Sequence, residues 1–87
     1  MKSFQEIRDQ SNRTVVNLLF TDAEIAMNML DLARVSEMPE LRKRRLREAL
    51  RAYNFIRKHT PAVALTREEA TALNKKMSLL KLRLSLA

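Results

Sequence analysis

The chain contains no glycine, no cysteine and no tryptophan, and only two prolines, Pro39 and Pro61, in 87 residues. Each absence excludes something. Tight hairpins and phosphate-cradling loops use glycine because it reaches positive φ without steric cost. A chain without glycine is therefore a poor candidate for a β-rich fold and for any nucleotide-binding loop. Without cysteine there are no disulfides, no thiolate metal sites and no cysteine nucleophiles. No run of about 18 apolar residues occurs, so no segment reads as a membrane span. The patch Val15–Phe20 is broken by Asn17 and is not followed by a small-residue cleavage site, which argues against a signal peptide. These features lead us to expect a cytoplasmic protein.

What is present points to helices. Apolar residues make up 46% and charged residues 31% of the chain, a globular balance. Leu, Ala, Arg, Glu and Met dominate, and all are good helix formers. At this length one domain is expected, with a modest core that association would usefully supplement.

Helix starts are marked by three S/T-x-x-E capping boxes: Ser3–Glu6, Thr21–Glu24 and Thr66–Glu69. In such a box the hydroxyl accepts from the third helical N–H and the carboxylate reaches back to the cap. A fourth start is marked by Pro39, whose missing N–H costs nothing in a first turn. The resulting segments are Phe4–Phe20, Asp22–Val35, Pro39–His59 and Arg67–Leu86, with Pro61 as a stop after the third. The first two segments also read as one helix of about 33 residues, about 50 Å long. Phe4, Ile7, Ser11, Leu18, Ile25 and Leu32 keep a heptad-like register across Thr21, and Val15, Leu19, Ala26, Met29 and Ala33 form a second row. A helix that long either bends near Thr21 or overhangs its shorter neighbours. The third segment has two apolar sides, Leu46, Leu50 and Tyr53 on one and Ala52, Phe55 and Ile56 on the other, which suits a helix between two neighbours. The fourth shows Ala70, Leu73, Met77, Leu80 and Leu84 at spacings of three and four, a core stripe. Met27, Met29, Met38 and Met77 read as core filling.

No catalytic constellation emerges. His59 is the sole histidine and falls in the last turn of the third segment, where a cationic ring favours the helix dipole. The carboxylates do not cluster. No catalytic residue, metal ligand or cofactor site is assigned, and no enzymatic activity is expected.

Two surfaces stand out instead. The net charge of +7 is uneven: residues 1–37 carry net −2, residues 38–59 net +6 and residues 60–87 net +3. Arg44, Arg47, Arg51 and Lys58 return to one side of the third helix. They form a candidate phosphate-contacting stripe or, more simply, a solvated outer face. Arg42 and Arg45 flank the apolar sides. The second surface is leucine-rich. Leu79, Leu82 and Leu86 widen the fourth stripe beyond what one neighbour needs, and with Phe4 and Ile7 on the N-terminal overhang they are candidate protein-interface residues. If the N-terminal segment folds over them, they are core.

One stretch resembles a tetratricopeptide repeat. Ala49, Tyr53 and Pro61 have the spacing A-x3-Y/F-x7-P of that repeat's second helix. The resemblance covers about a third of the chain and implies a helical hairpin. The W-x2-L-G-x2-Y pattern of the first repeat helix is missing, and only one repeat fits. The expectation is therefore an all-α, antiparallel three- to four-helix bundle built around such a hairpin. Its expected role is as an interaction or assembly module whose partner is a protein, a second copy included. The alternative is a nucleic-acid-associated or regulatory protein using the basic face. Attachment of that face to anionic lipid is a third reading.

Overall fold

The first helix opens on a side-chain cap: the Glu6 N–H donates to Ser3 Oγ at 3.2 Å, satisfying one of the four N–H groups that a helix start leaves free. From there α1 runs Phe4–Val35, α2 runs Pro39–His59, a 3-10 turn covers Thr60–Ala62, and α3 runs Arg67–Leu86. The computed structural model describes residues 3–87. The side chains of Phe4, Gln5 and Ile7 fall outside the described ones, so the interface role expected of Phe4 and Ile7 lies outside them too. Among the described residues the fold is all-helical, with three α-helices. The long first helix continues through Thr21, so the Thr21–Glu24 box caps nothing. Thr21 is an exposed residue in mid-helix.

The two connections close without any residue at positive φ among those described, which is how a chain lacking glycine makes its turns. At the first, Ser36 leaves the helix in extended conformation (φ −80°, ψ 124°), and its N–H still reaches Ala33 O at 3.3 Å. Pro39 then starts α2 at its first turn, as its fixed φ favours. The Arg42 guanidinium donates to Ser36 O at 2.7 Å, tying the new helix to the end of the old one. At the second connection the Thr60 hydroxyl donates to Ile56 O at 2.6 Å. Thr66 then caps α3 with the complete box: Glu69 N–H to Thr66 Oγ1 at 3.1 Å and Thr66 N–H to Glu69 Oε1 at 3.0 Å.

Side-chain contacts fix the directions. Arg45 on α2 reaches Met29 Sδ at 3.8 Å, and Arg42 reaches Ser36, so α2 runs antiparallel to α1. Arg13 pairs with Glu69 at 2.8 Å and Asp31 with Arg83 at 2.7 Å, so α3 runs parallel to α1. The antiparallel register sets Ala26 level with Ala49, Ala23 with Ala52, and Leu19 with Ile56. Ala23, Ala26 and Ala49 are fully buried; alanines facing alanines let α1 and α2 approach closely. Larger side chains, Leu73 and Leu80 from α3, seal the core against Leu19, Leu30 and Ile56. Each such burial stabilises by about 1.5–3 kcal/mol.

The core row of α1 is Val16, Leu19, Ala23, Ala26, Leu30 and Ala33. Leu19, Ala26 and Ala33 belong to the second row read in the sequence, whereas Leu18, Ile25 and Leu32 of the heptad row lie on the outside. Leu50, expected on an apolar side of α2, is likewise exposed, as is Met38. The length mismatch resolves as an overhang. The Asn12 amide donates to Ala64 O at 2.9 Å and accepts from Ala64 N–H at 2.8 Å, which places the α2–α3 connection level with residue 12. The helix before it projects past its neighbours, and Ser3, Glu6, Arg8, Asp9, Gln10 and Ser11 are all exposed. The molecule is accordingly elongated, 54 × 24 × 17 Å.

Candidate interaction surfaces

The chemistry-bearing residues do not converge. No group of three His, Asp or Glu side chains among the described residues is placed to hold a metal ion. His59 sits in the last turn of α2 with its ring 4.3 Å from that of Phe55. The Glu69 carboxyl group is held below its ordinary value. It is lowered first by the backbone N–H of Thr66 and next by the Arg13 guanidinium. That shift belongs to a helix cap and an ion pair between α1 and α3, both structural features.

Two open clefts lie beside α3. One, of about 560 Å³, sits where the C-terminal ends of α1 and α3 meet the start of α2. Leu30, Ala33, Leu46 and Leu86 line it, with Arg34, Arg42 and Arg83 around them. The other, of about 380 Å³, lies between α2 and α3 beside Tyr53, Arg57, Leu73, Met77 and Lys81. Arg57 stacks over the Tyr53 ring there at 5.8 Å.

The basic face is assembled as its spacing implies. Arg44, Arg47, Arg51 and Lys58 are all exposed and fall within one quarter of the α2 circumference, by helical geometry. Arg44 pairs with Glu48 at 3.3 Å, and an exposed pair of this kind contributes little. Arg45 also reaches Glu48, at 3.4 Å, so one carboxylate lies between two guanidinium groups. The row faces away from α3: it stands roughly 150° around α2 from Leu46 and Tyr53, which turn toward α3.

The leucine surface also exists. Leu79, Leu82 and Leu86 are 46%, 55% and 77% exposed; Leu79 and Leu82 lie on the side of α3 away from its buried row Leu73 and Leu80, and Leu86, in the last turn, also borders the cleft beside Leu30, Ala33 and Leu46. The N-terminal segment does not fold over them, since α1 is one helix that overhangs at the opposite end.

A third surface was not anticipated as a surface. Leu18, Ile25 and Leu32 are 45%, 42% and 45% exposed. They lie roughly 130° around α1 from Arg13, Met27 and Asp31, whose contacts are with α3. They adjoin Met29, which touches α2. Heptad spacing marks them as one row of α1, and burial shows that the row faces outward. No helix among the described residues is long and apolar enough to cross a membrane. Comparison with family models, with curated proteins and with solved structures finds no match.

Proposed function

We propose that the protein is a non-enzymatic interaction and assembly module that associates with a second copy of itself through the outer face of α3. The observation that carries this reading is the exposure of Leu79, Leu82 and Leu86 together. Single exposed leucines are ordinary, whereas three on two successive turns make a contiguous apolar patch. A two-fold contact must be self-complementary. Lys75 on α3 and Glu24 on the α3 side of α1 are both exposed and supply both signs of charge around the leucines. Light scattering of the purified chain over a wide concentration range tests this. A dimer that becomes monomeric in the double variant L82E/L86E is expected. A strictly monomeric wild type at the highest concentration removes the self-association.

We extend the same proposal to the tetratricopeptide-like hairpin. Its support is the burial of Ala49 between α1 and α2 and the place of Pro61 in the turn that ends α2. We also assign the protein to the cytoplasm, a reading supported by the absence of cysteine. A second reading, nucleic-acid association, is favoured by one observation: four cations share an exposed face of α2. Binding to a nonspecific duplex at two salt concentrations tests it. Phosphate contacts are expected to weaken steeply with salt, and absence of binding at low salt refutes them.

A further inference from the structure

The two outward rows on α1 and α2 share a period. On α1, Leu18, Ile25 and Leu32 recur every seven residues; on α2, Arg44, Arg51 and Lys58 do the same. The helices are antiparallel, and the contacts Arg45–Met29 and Arg42–Ser36 bracket their register. In that register Leu32 stands level with Arg44, Ile25 with Arg51, and Leu18 with Lys58. Each rung thus carries one exposed apolar side chain on α1 and one exposed cation on α2. Half-buried Glu48 and Phe55 lie between the rows. Both rows face away from α3. From first rung to last the face is about 21 Å long, at 1.5 Å per residue.

From this ladder we infer that the open face of the α1–α2 hairpin docks an amphipathic helix of another protein, one bearing apolar residues every seven positions and glutamate or aspartate along one flank. Seven-residue spacing is the period at which one helix meets another along a seam, with charges beside the seam choosing the partner. The face supplies the apolar half of such a seam and a flank of one sign. A partner that covers it must supply the opposite sign. A second copy does not. One two-fold arrangement sets Arg44, Arg51 and Lys58 over their own counterparts, and the other sets them over the partner's apolar row. Glu48 is already held by Arg44 and Arg45. A phosphate backbone meets the cations but leaves the level apolar row in water, so the pairing of the two rows favours a helix over nucleic acid. This surface is distinct from the leucine patch on α3, and the inference stands or falls separately from self-association.

The test uses the full chain and labelled synthetic 18-residue helical peptides with leucine at the heptad seam. One peptide carries glutamate along one flank, its match carries lysine there, and a scrambled glutamate peptide serves as control. Fluorescence anisotropy at low and moderate salt reads the affinity, and amide shift perturbation reads the location. The glutamate peptide is expected to bind at least tenfold more tightly than either control. Shifts are expected at residues 18–32 and 44–58. The variants I25S and R51E, at exposed positions, should each weaken binding tenfold or more while leaving the helical circular dichroism unchanged. Equal affinity for the glutamate and lysine peptides, or no binding, overturns the inference. So do shifts confined to residues 79–86, or a duplex that binds more tightly than the glutamate peptide and is indifferent to I25S.

Discussion

Replacing Thr21 by alanine and Thr66 by alanine should move stability in opposite directions, although both residues head the same S/T-x-x-E motif. Thr66 is a working cap: its hydroxyl accepts from Glu69 N–H at 3.1 Å, and Glu69 answers from the other side. Losing such a hydroxyl costs about 1 kcal/mol, within a range of about 0.5–2. Thr21 lies inside α1, exposed and β-branched. There alanine is the better helix former by about 0.5 kcal/mol, because threonine gives up side-chain freedom against the preceding turn. For a domain of this size 1 kcal/mol shifts the midpoint by about 4–8 °C. Thermal unfolding followed by circular dichroism should therefore show T66A lowered by about 4–8 °C and T21A raised by about 2–4 °C. Urea titration of the same variants gives the free energies directly. If T21A falls as far as T66A, the first helix is interrupted at Thr21 and the overhang is wrong.

The close α1–α2 approach makes Ala49 intolerant of bulk. The variant A49L adds three carbons at a fully buried position level with Ala26, and should lose about 1–3 kcal/mol by urea unfolding, whereas L50A at the exposed neighbour should change stability far less. The amide of Asn12 makes two hydrogen bonds to Ala64. At about 1 kcal/mol net for each, N12A should cost about 2 kcal/mol, and amide exchange should rise first at the α2–α3 connection. Glu69 gives a pH dependence. Its folded value lies below the ordinary 4.5, so its stabilisation is complete above that pH and is lost as pH falls through the lowered value. Wild type should lose more stability than E69Q on acidification below about pH 4.5, and identical acid profiles would contradict the cap.

The last helix was legible from its residues alone, because a capping box and an apolar stripe at spacings of three and four sit in the same 20 residues. Leu73 and Leu80 are buried, with Ala70, Met77 and Leu84 half-buried beside them. The first helix was not. Its buried row includes Ala23, Ala26 and Ala33, residues that hydropathy weighs lightly but that close helix approach demands. Two rows could be read along the helix, and nothing local chose between them: Leu19, Ala26 and Ala33 of the second row are buried, and the larger Leu18, Ile25 and Leu32 of the heptad row lie outside. Which stripe a helix buries depends on where its neighbours stand, and that is a property of the assembled chain. The Thr21 box failed for a related reason. A capping motif acts only where the backbone before it leaves the helix, and nothing between Phe20 and Asp22 forces that. The Asn12 clamp has no local signal at all, since its partner is 52 residues away. The basic row was readable because exposure needs no partner; the level apolar row that gives it a second meaning was not.

The absence of cysteine makes the central proposal directly measurable. A nitroxide label on S85C, at an exposed position beside Leu82 and Leu86, reports on whatever approaches the outer face of α3 without interference from native thiols. Mixed with isotope-labelled wild-type chain, which has no cysteine and so carries no nitroxide, it broadens amide signals only in molecules that dock against it. Self-association through α3 requires broadening concentrated at Lys75–Leu86 of the wild-type chain, growing with concentration and abolished by L82E/L86E. Absence of intermolecular broadening at the highest concentration, or broadening centred on residues 18–32, would contradict it.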